Sequence, residues 1–433
     1  MGRGRADGSM RATVAAGYLT VALLLGGGGR PYPLAELAVQ CAFALALAAW
    51  FLAPGSSLRR VPRAAWASAA LCLAVPLLHL VPLPPMTWTA LPQRGLMVEA
   101  LAMIGQEPGW RPLTIDRAAT VGALLSLIPA VGLFAMTTTL APAQLWRMMR
   151  IVGIAALVCA GAGAILLAGG KTLYPKAHPG WLTGMFANRN AAADLLLAGM
   201  LAWAGLAVAE PRGKVFAYCA LAVCGAGVLA TGSRAGIVLL AMVVVAFIAH
   251  RARGGRGWRA AGGAATVAGF AAMFTPLGTR IGLRFSDLGD ARPDLWQDSW
   301  TAAQAFWPSG AGLGAFVPAF LLHERESMID ASHPNRAHND YLEFIVEAGV
   351  LAPLVLATLT VLMLHAWRGA RKGCDQALLT AASVMMGVML THSIVDYPIR
   401  TMALSAVLGF AAGCIHALAA QQRSHDAAQG SGR

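Results

Sequence analysis

The chain has 433 residues, of which 57% are apolar and only 12% charged, and its mean hydropathy is +0.61. A soluble core of this size needs a far more polar shell, so the composition excludes an ordinary soluble enzyme and points to a membrane protein. The net charge of +13 then reads as loop lysine and arginine that fixes topology, and no nucleic-acid partner is expected.

A bilayer core of ~30 Å takes about 20 apolar residues per helix, and about twelve such runs occur. They are centred near residues 20, 43, 73, 128, 158, 199, 222, 242, 267, 353, 386 and 410. The first follows Arg3, Arg5 and Arg11, as a secretory signal would. GGGGRPYP after it offers no small-x-small cleavage site, so it reads as an uncleaved span. With the N-terminus inside, the short loops around Arg59, Arg147, Arg212, Arg253 and Arg371 are cytoplasmic and densely basic, as the positive-inside rule asks. Both termini are then cytoplasmic, and the two longest loops, roughly 84–117 and 276–339, lie outside. The expected fold is an all-α polytopic inner-membrane bundle forming one membrane domain over 1–433. Its long periplasmic loop falls between the ninth and tenth helices.

The 84–117 loop holds an apolar stretch too short to span, expected along the interface with Trp88 and Trp110 at headgroup level. GMFANRNAAADLLL opens a span with Arg189, with Asp194 about a turn further in, and TGSRAG puts Arg234 at the outer junction of two spans. Residues 251–263 are basic and Gly-rich and read as a cytoplasmic turn. In the 276–339 loop, RPDLWQDSWTAAQAFW places Leu295, Trp300, Ala303 and Phe306 in near-helical register. A short amphipathic helix, the turn PSGAGLGAF and a second helix near 315–328 are predicted. GAGLGAF resembles a phosphate-cradling loop but follows Trp307-Pro308 instead of a buried strand, so it reads as a tight turn.

SHPNRAHNDYLEFIVEAG, residues 332–349, gathers His333, Arg336, His338 and Asp340 at the mouth of a span that still carries Glu343 and Glu347. Asp340, Glu343 and Glu347 follow at i, i+3 and i+7 and share one helix face. A carboxylate in a span costs ~2.5–3.5 kcal/mol on insertion scales, so Glu347 is expected to face the interior and pair with an arginine. HSIVDYPIR puts Asp396 and Arg400 at another outer helix end. Cys41, Cys72, Cys159, Cys219, Cys224 and Cys414 fall in spans and Cys374 near the cytoplasmic face, so no disulfide is expected. The last dozen residues are polar and expected to be disordered.

A loop histidine before a helix is commonly a cap that faces water. His338, however, lies where basic, acidic and aromatic residues converge, and imidazole is the usual general base for a hydroxyl. Arg189, Arg234 and Arg400 sit on the outer face against the positive-inside bias. Such guanidinium groups suit a diphosphate, which each can grip with two N–H donors. Arg280, Arg284 and Arg336 are further candidates. Trp296, Trp300 and Tyr341 could stack on sugar rings or anchor at the interface. DLGD at 287–290 is not an Asp-x-Asp pair and GGGGRPYP has no carboxylate. No metal or other cofactor is therefore expected, and arginines would do the electrostatic work.

The motifs GMFANRNAAADLLL, TGSRAG, Arg292…Trp296…Pro308…GAGLGAF and RAHNDYLEFIVEAG, in this order over roughly 181–400, resemble the O-antigen ligase and O-antigen polymerase superfamily. The resemblance implies a C-type membrane glycosyltransferase (GT-C) that uses neither metal nor nucleotide. Its donor would be an undecaprenyl-diphosphate-linked glycan, and its acceptor a lipid A-core sugar or a growing glycan chain. By position it implies His338 as the residue that activates the acceptor, with Arg189, Arg234 and Arg292 at basic positions suited to the leaving diphosphate. Asp340, Tyr341, Glu343 and Glu347 would be supporting residues. Asn-Asp-Tyr after His338 departs from the Ser-Asn-Phe type of the lipopolysaccharide ligases. Ligase and polymerase both stay open, with a lean toward a polymerase or exopolysaccharide enzyme. The rival class is a transporter or flippase. Transporters place ionisable groups near the midplane with two-fold hydropathy symmetry, whereas here they cluster at one face and the halves differ in loop size.

Overall fold

The structure, a computed structural model, describes residues 2–29, 32–53, 60–175, 178–252, 275–286, 292–329, 334–373 and 375–430. The run expected near 267, most of the Gly-rich turn, and Asp287, Asp290, His333 and Cys374 lie outside them. In chain order the first helices are α1 (Gly2–Leu25), α2 (Pro33–Leu52), α3 (Arg63–His79), α4 (Pro85–Trp88), α5 (Gly95–Met103), α6 (Arg117–Thr137), α7 (Pro142–Ala168), α8 (Arg189–Ala209), α9 (Lys214–Thr231) and α10 (Arg234–Ala252). Then follow α11 (Pro276–Ser286), α12 (Arg292–Ala305), α13 (Phe316–Leu321), α14 (Asp340–Ala348), α15 (Leu351–Ala370), α16 (Gln376–His392) and α17 (Met402–Gly430). Two short strands, β1 (Pro82–Leu83) and β2 (Arg111–Pro112), pair antiparallel at the base of the 84–117 loop.

Among the described residues, 7 helices are long and apolar enough to cross a membrane, namely α2, α6, α7, α8, α9, α15 and α17. Shorter apolar helices from α1, α3, α10 and α16 accompany them. Together they occupy the expected positions apart from that near 267. The bundle is organised around two of them: the apolar window of α8 is 83% buried and that of α17 78%, against 39% or less for the other five. Small residues make this possible, since Ala191, Ala192, Ala198 and Ala202 of α8 and Ala403, Ala406 and Ala411 of α17 are buried and let backbones approach closely. Side-chain caps set the helix starts. Asp116 accepts from Ala119 N (2.9 Å), Asn188 from Asn190 N (2.8 Å) and Asn339 from Tyr341 N (3.0 Å).

The span expected to run on from the 332–349 stretch is instead broken at Gly349 into α14 and α15. The carbonyls that end α14 are satisfied by the glycine turn and not by a continuing helix. Ala311 N donates to Val346 O (3.0 Å), Gly312 N to Glu347 O (2.8 Å), and Val350 N returns to Pro308 O (3.0 Å). Gly349 lies at φ +54°, and a Cβ there would sit 2.1 Å from Pro308 O. The turn predicted for GAGLGAF therefore serves as a splice across the helix break.

The two long loops meet at one end of the bundle. Ile115 N donates to Ala311 O (2.8 Å) and Leu313 N to His79 Nδ1 (3.1 Å). Between them Ala302, Phe306, Phe316, Phe320 and Val346 form a second apolar core, with Ile115 against it. Two expectations are corrected. Trp88 is no headgroup anchor, because it is buried and its Nε1 donates to Gly109 O (2.8 Å). On α12 the buried face is carried by Ala302 and Ala303, with Phe306 just past its end, while Trp300 is exposed.

Gly349→Ala is expected to lower the melting temperature of the detergent-solubilised protein, because the left-handed backbone and the contact with Pro308 O both forbid a Cβ. Gly95→Ala, where a Cβ meets nothing within 4 Å, should leave it within about 0.5 kcal/mol of wild type. Equal melting of the two variants would refute the splice.

Candidate active site

The carboxylates of α14 converge on one cation. Arg400 reaches Asp340 Oδ1 (3.3 Å), Glu343 Oε1 (3.3 Å) and Glu347 Oε2 (3.0 Å). The i, i+3, i+7 spacing puts all three on the face toward the loop between α16 and α17, and the arginine expected for Glu347 is this one. Arg336 completes the cluster, donating to Glu343 Oε1 at 2.7 Å and remaining nearly buried. Gly314 N supplies Glu347 Oε1 (2.8 Å), and Ser393 Oγ supplies Asp340 Oδ2 (2.9 Å). Burial works against ionising Glu343, yet Arg400 and Arg336 hold its carboxyl below the usual range. Burial wins at Asp340, whose pKa is pushed up to about 7.

His338 stands on this platform. Both flanks of its backbone are pinned: Ala337 N donates to Glu343 Oε2 (3.1 Å), Trp296 Nε1 to Ala337 O (3.0 Å), and Asp340 N to Ser393 O (2.9 Å). His338 itself lies at φ +49°, a left-handed conformation uncommon outside glycine that persists where the surroundings over-determine it. Its Nδ1 lies 2.8 Å from Asp396 Oδ1, and Asn190 Nδ2 donates to Asp396 Oδ2 (2.7 Å). Burial would raise the Asp396 pKa, but the hydrogen bond from His338, joined by that from Asn190, holds it low. An ionised Asp396 can only accept, so Nδ1 carries the proton and Nε2 is left as the basic nitrogen. The Tyr397 ring packs edge-on against the imidazole at 4.8 Å. Below, Asp194 Oδ1 and His392 Nδ1 form a buried pair at 2.7 Å.

The arginines divide. Arg189 and Arg280 lie against the Trp181 ring, 5.6 and 4.5 Å from its centroid, and Arg280 also donates to Gly180 O (3.0 Å). Trp181 packs directly on Gly232, two residues before Arg234 at the start of α10. Arg292 opens α12 and is close enough to His392 to interact with it electrostatically. The side chain of Arg284, on α11, lies outside the described residues. Arg336, expected to share a diphosphate, is engaged by Glu343. Tyr341 donates its hydroxyl to Leu390 O (2.8 Å) and so braces α14 against α16. Among the described residues no three His, Cys, Asp or Glu side chains are grouped as metal ligands.

Residues 219–357 match the family model of the O-antigen ligase. The superfamily resemblance read from the sequence is supported over this segment. No curated protein matches the chain. The O-antigen ligase segment contains Arg234, Arg292, Arg336, His338 and the α14 carboxylates, whereas Asn190, Asp194, Asp396 and Arg400 come from outside it. Sequence reasoning noted Asp396 and Arg400 and asked for an arginine at Glu347, but missed His338 and Asn190 as the partners of Asp396. The available signal was HSIVDYPIR, where a His, an Asp and an Arg follow an apolar run at intervals of four.

Arg400→Leu should destabilise the protein by about 3–5 kcal/mol, because it strands buried carboxylates; thermal melts in detergent would read this. Asp340→Asn isolates a pH effect. The folded pKa of about 7 lies above the ordinary 3.8, so the native state binds the extra proton and wild type loses stability as pH rises through that window. Relative to wild type, Asp340→Asn should therefore gain in melting temperature from about pH 4 to 7 and stay level above it. A flat difference across this range would contradict the assignment.

Proposed function

We propose that the protein transfers a glycan from an undecaprenyl-diphosphate carrier to a sugar hydroxyl, without a metal and with inversion, at the periplasmic face of an inner membrane. The acceptor is a lipid A-core sugar or a growing glycan chain. The observation that carries the reading is the Asp396–His338 pair, held in the left-handed loop before α14, with Arg189, Arg234 and Arg292 at the starts of α8, α10 and α12. His338 Nε2 takes the acceptor proton as the acceptor oxygen bonds to the anomeric carbon. The bond from that carbon to the diphosphate oxygen breaks, and the electron pair leaves with the diphosphate. Arg189, Arg234 and Arg292, with Arg284 from α11, stabilise the charge that builds there. Asp396 keeps the imidazole in the productive tautomer and offsets the charge it acquires. Arg336 is assigned to holding Glu343 and the His338 loop.

The sidedness rests on charge. The helix ends opposite the site carry Arg60, Arg63, Arg147, Arg150, Arg212, Lys214, Arg368, Arg371 and Lys372, the distribution of a cytoplasmic face. That orientation makes both termini cytoplasmic.

A strain deleted for this gene, complemented with wild type, His338→Ala or Asp396→Asn at matched membrane levels, tests the reading by glycan gels. His338→Ala should lose about 10²–10⁴-fold in transfer. Asp396→Asn should fall between it and wild type. Loss of lipid A-linked chains with lipid-linked polymer accumulating identifies a ligase, and single repeats in place of long chains identify a polymerase. A normal profile from well-expressed His338→Ala would sink the catalytic role and favour a transporter.

A further inference from the structure

A cavity of about 460 Å³ lies within the 84–117 loop and is not used by the site around His338. Its wall includes Arg94, Gln106, Glu107, Trp110, Arg111 and Arg117, three cations against one carboxylate. Arg94 is only 2% exposed. It donates to Leu113 O (2.5 Å) and Pro92 O (3.4 Å) and lies against the Phe306 ring. A guanidinium has five N–H donors, and no described carboxylate forms an ion pair with Arg94, Arg111 or Arg117. Asp116, next to Arg117, spends its carboxylate on the cap of α6. Burial draws the Arg94 pKa down to about 10, so the group is still a cation at neutrality. A buried cation without a counter-charge is costly, and an incoming anion removes that cost.

The remaining wall suits a sugar. Trp110, 68% exposed, lines the cavity, as does Arg111, whose guanidinium carbon lies 5.9 Å from the ring centre of buried Trp88. Gln106 and Glu107 provide partners for hydroxyl groups, which a bare phosphate would not need. The volume falls in the range of small-ligand sites, about 300–1,000 Å³. Thr114, also in the wall, touches the glycine turn through Ala311 O (3.3 Å), and that turn supplies Gly314 N to Glu347. The cavity is therefore joined by direct contacts to the platform beneath His338.

We propose that this cavity binds an acidic sugar residue of the glycan substrate, a uronic acid or a sugar phosphate, with Arg94, Arg111 and Arg117 holding the anion and Trp110 the ring. That the sugar belongs to a glycan being transferred rests on the function proposed above, whereas the binding itself does not.

The test uses the full chain in phosphatidylcholine nanodiscs, titrated with glucuronic acid, glucose 1-phosphate and glucose and followed by saturation-transfer NMR. Both acidic sugars should bind at least about tenfold more tightly than glucose, the worth of one hydrogen bond to a charged group. Arg111→Gln and, separately, Arg117→Gln should weaken the acidic sugars while leaving the response to glucose unchanged, and His338→Ala should leave all three titrations unchanged. Loss of transfer in His338→Ala with binding intact separates this site from the catalytic reading. Equal affinity for glucose and glucuronic acid would overturn the proposal, as would indifference to both arginine substitutions. Displacement of the sugars when phosphatidylglycerol replaces part of the phosphatidylcholine would give the cavity to a lipid headgroup, and the proposal would fall.

Discussion

The guanidinium of Arg400 is the point on which the end of the bundle around His338 depends. One guanidinium, only 18% exposed, donates to three carboxylates from a single helix face, so α14 can sit against the loop between α16 and α17 in only one register. Such a cluster is a poor source of net stability, because desolvation offsets most of the Coulombic gain. Its value is positional. Shifting α14 by one residue would leave buried charges unpaired, a far larger penalty than any loss of apolar contact there.

That register fixes His338. Arg336, Ala337, Asn339 and Asp340 each make a hydrogen bond that the cluster or the helix cap requires, which leaves the residue between them in a left-handed backbone. The imidazole then meets Asp396 from the same loop that carries Arg400. One five-residue stretch, 396–400, thus sets both the platform and the partner of the candidate base. The break at Gly349 belongs to the same design. By ending α14 against the glycine turn, it frees a short polar helix to follow the loop geometry while α15 continues as a span.

Membrane helices supply the remaining side. Asn190, at the start of the deeply buried α8, reaches Asp396, and Asp194 a turn further reaches His392. The segment that matches the O-antigen ligase family ends at 357, so the residues that close the site around His338 come from elements on either side of it. The loop that carries His338 and the frame that orients it are distinct parts of the chain.

Hydropathy and spacing alone determined the helical membrane architecture, the two long loops, the glycine turn, the common face of Asp340, Glu343 and Glu347, and the need of Glu347 for an arginine. These follow from periods of a few residues and from the cost of charge in an apolar medium, both of which are written locally. Only the tertiary structure decided that Trp88 is core, that Arg336 is consumed by Glu343, that the helix breaks at Gly349 and that Asp396 is the partner of His338. Those pairings join positions 58 residues apart for His338 and Asp396 and 206 apart for Asn190 and Asp396. No local pattern specifies contacts over such separations, because they arise from which helices pack together and at what depth their ends are held.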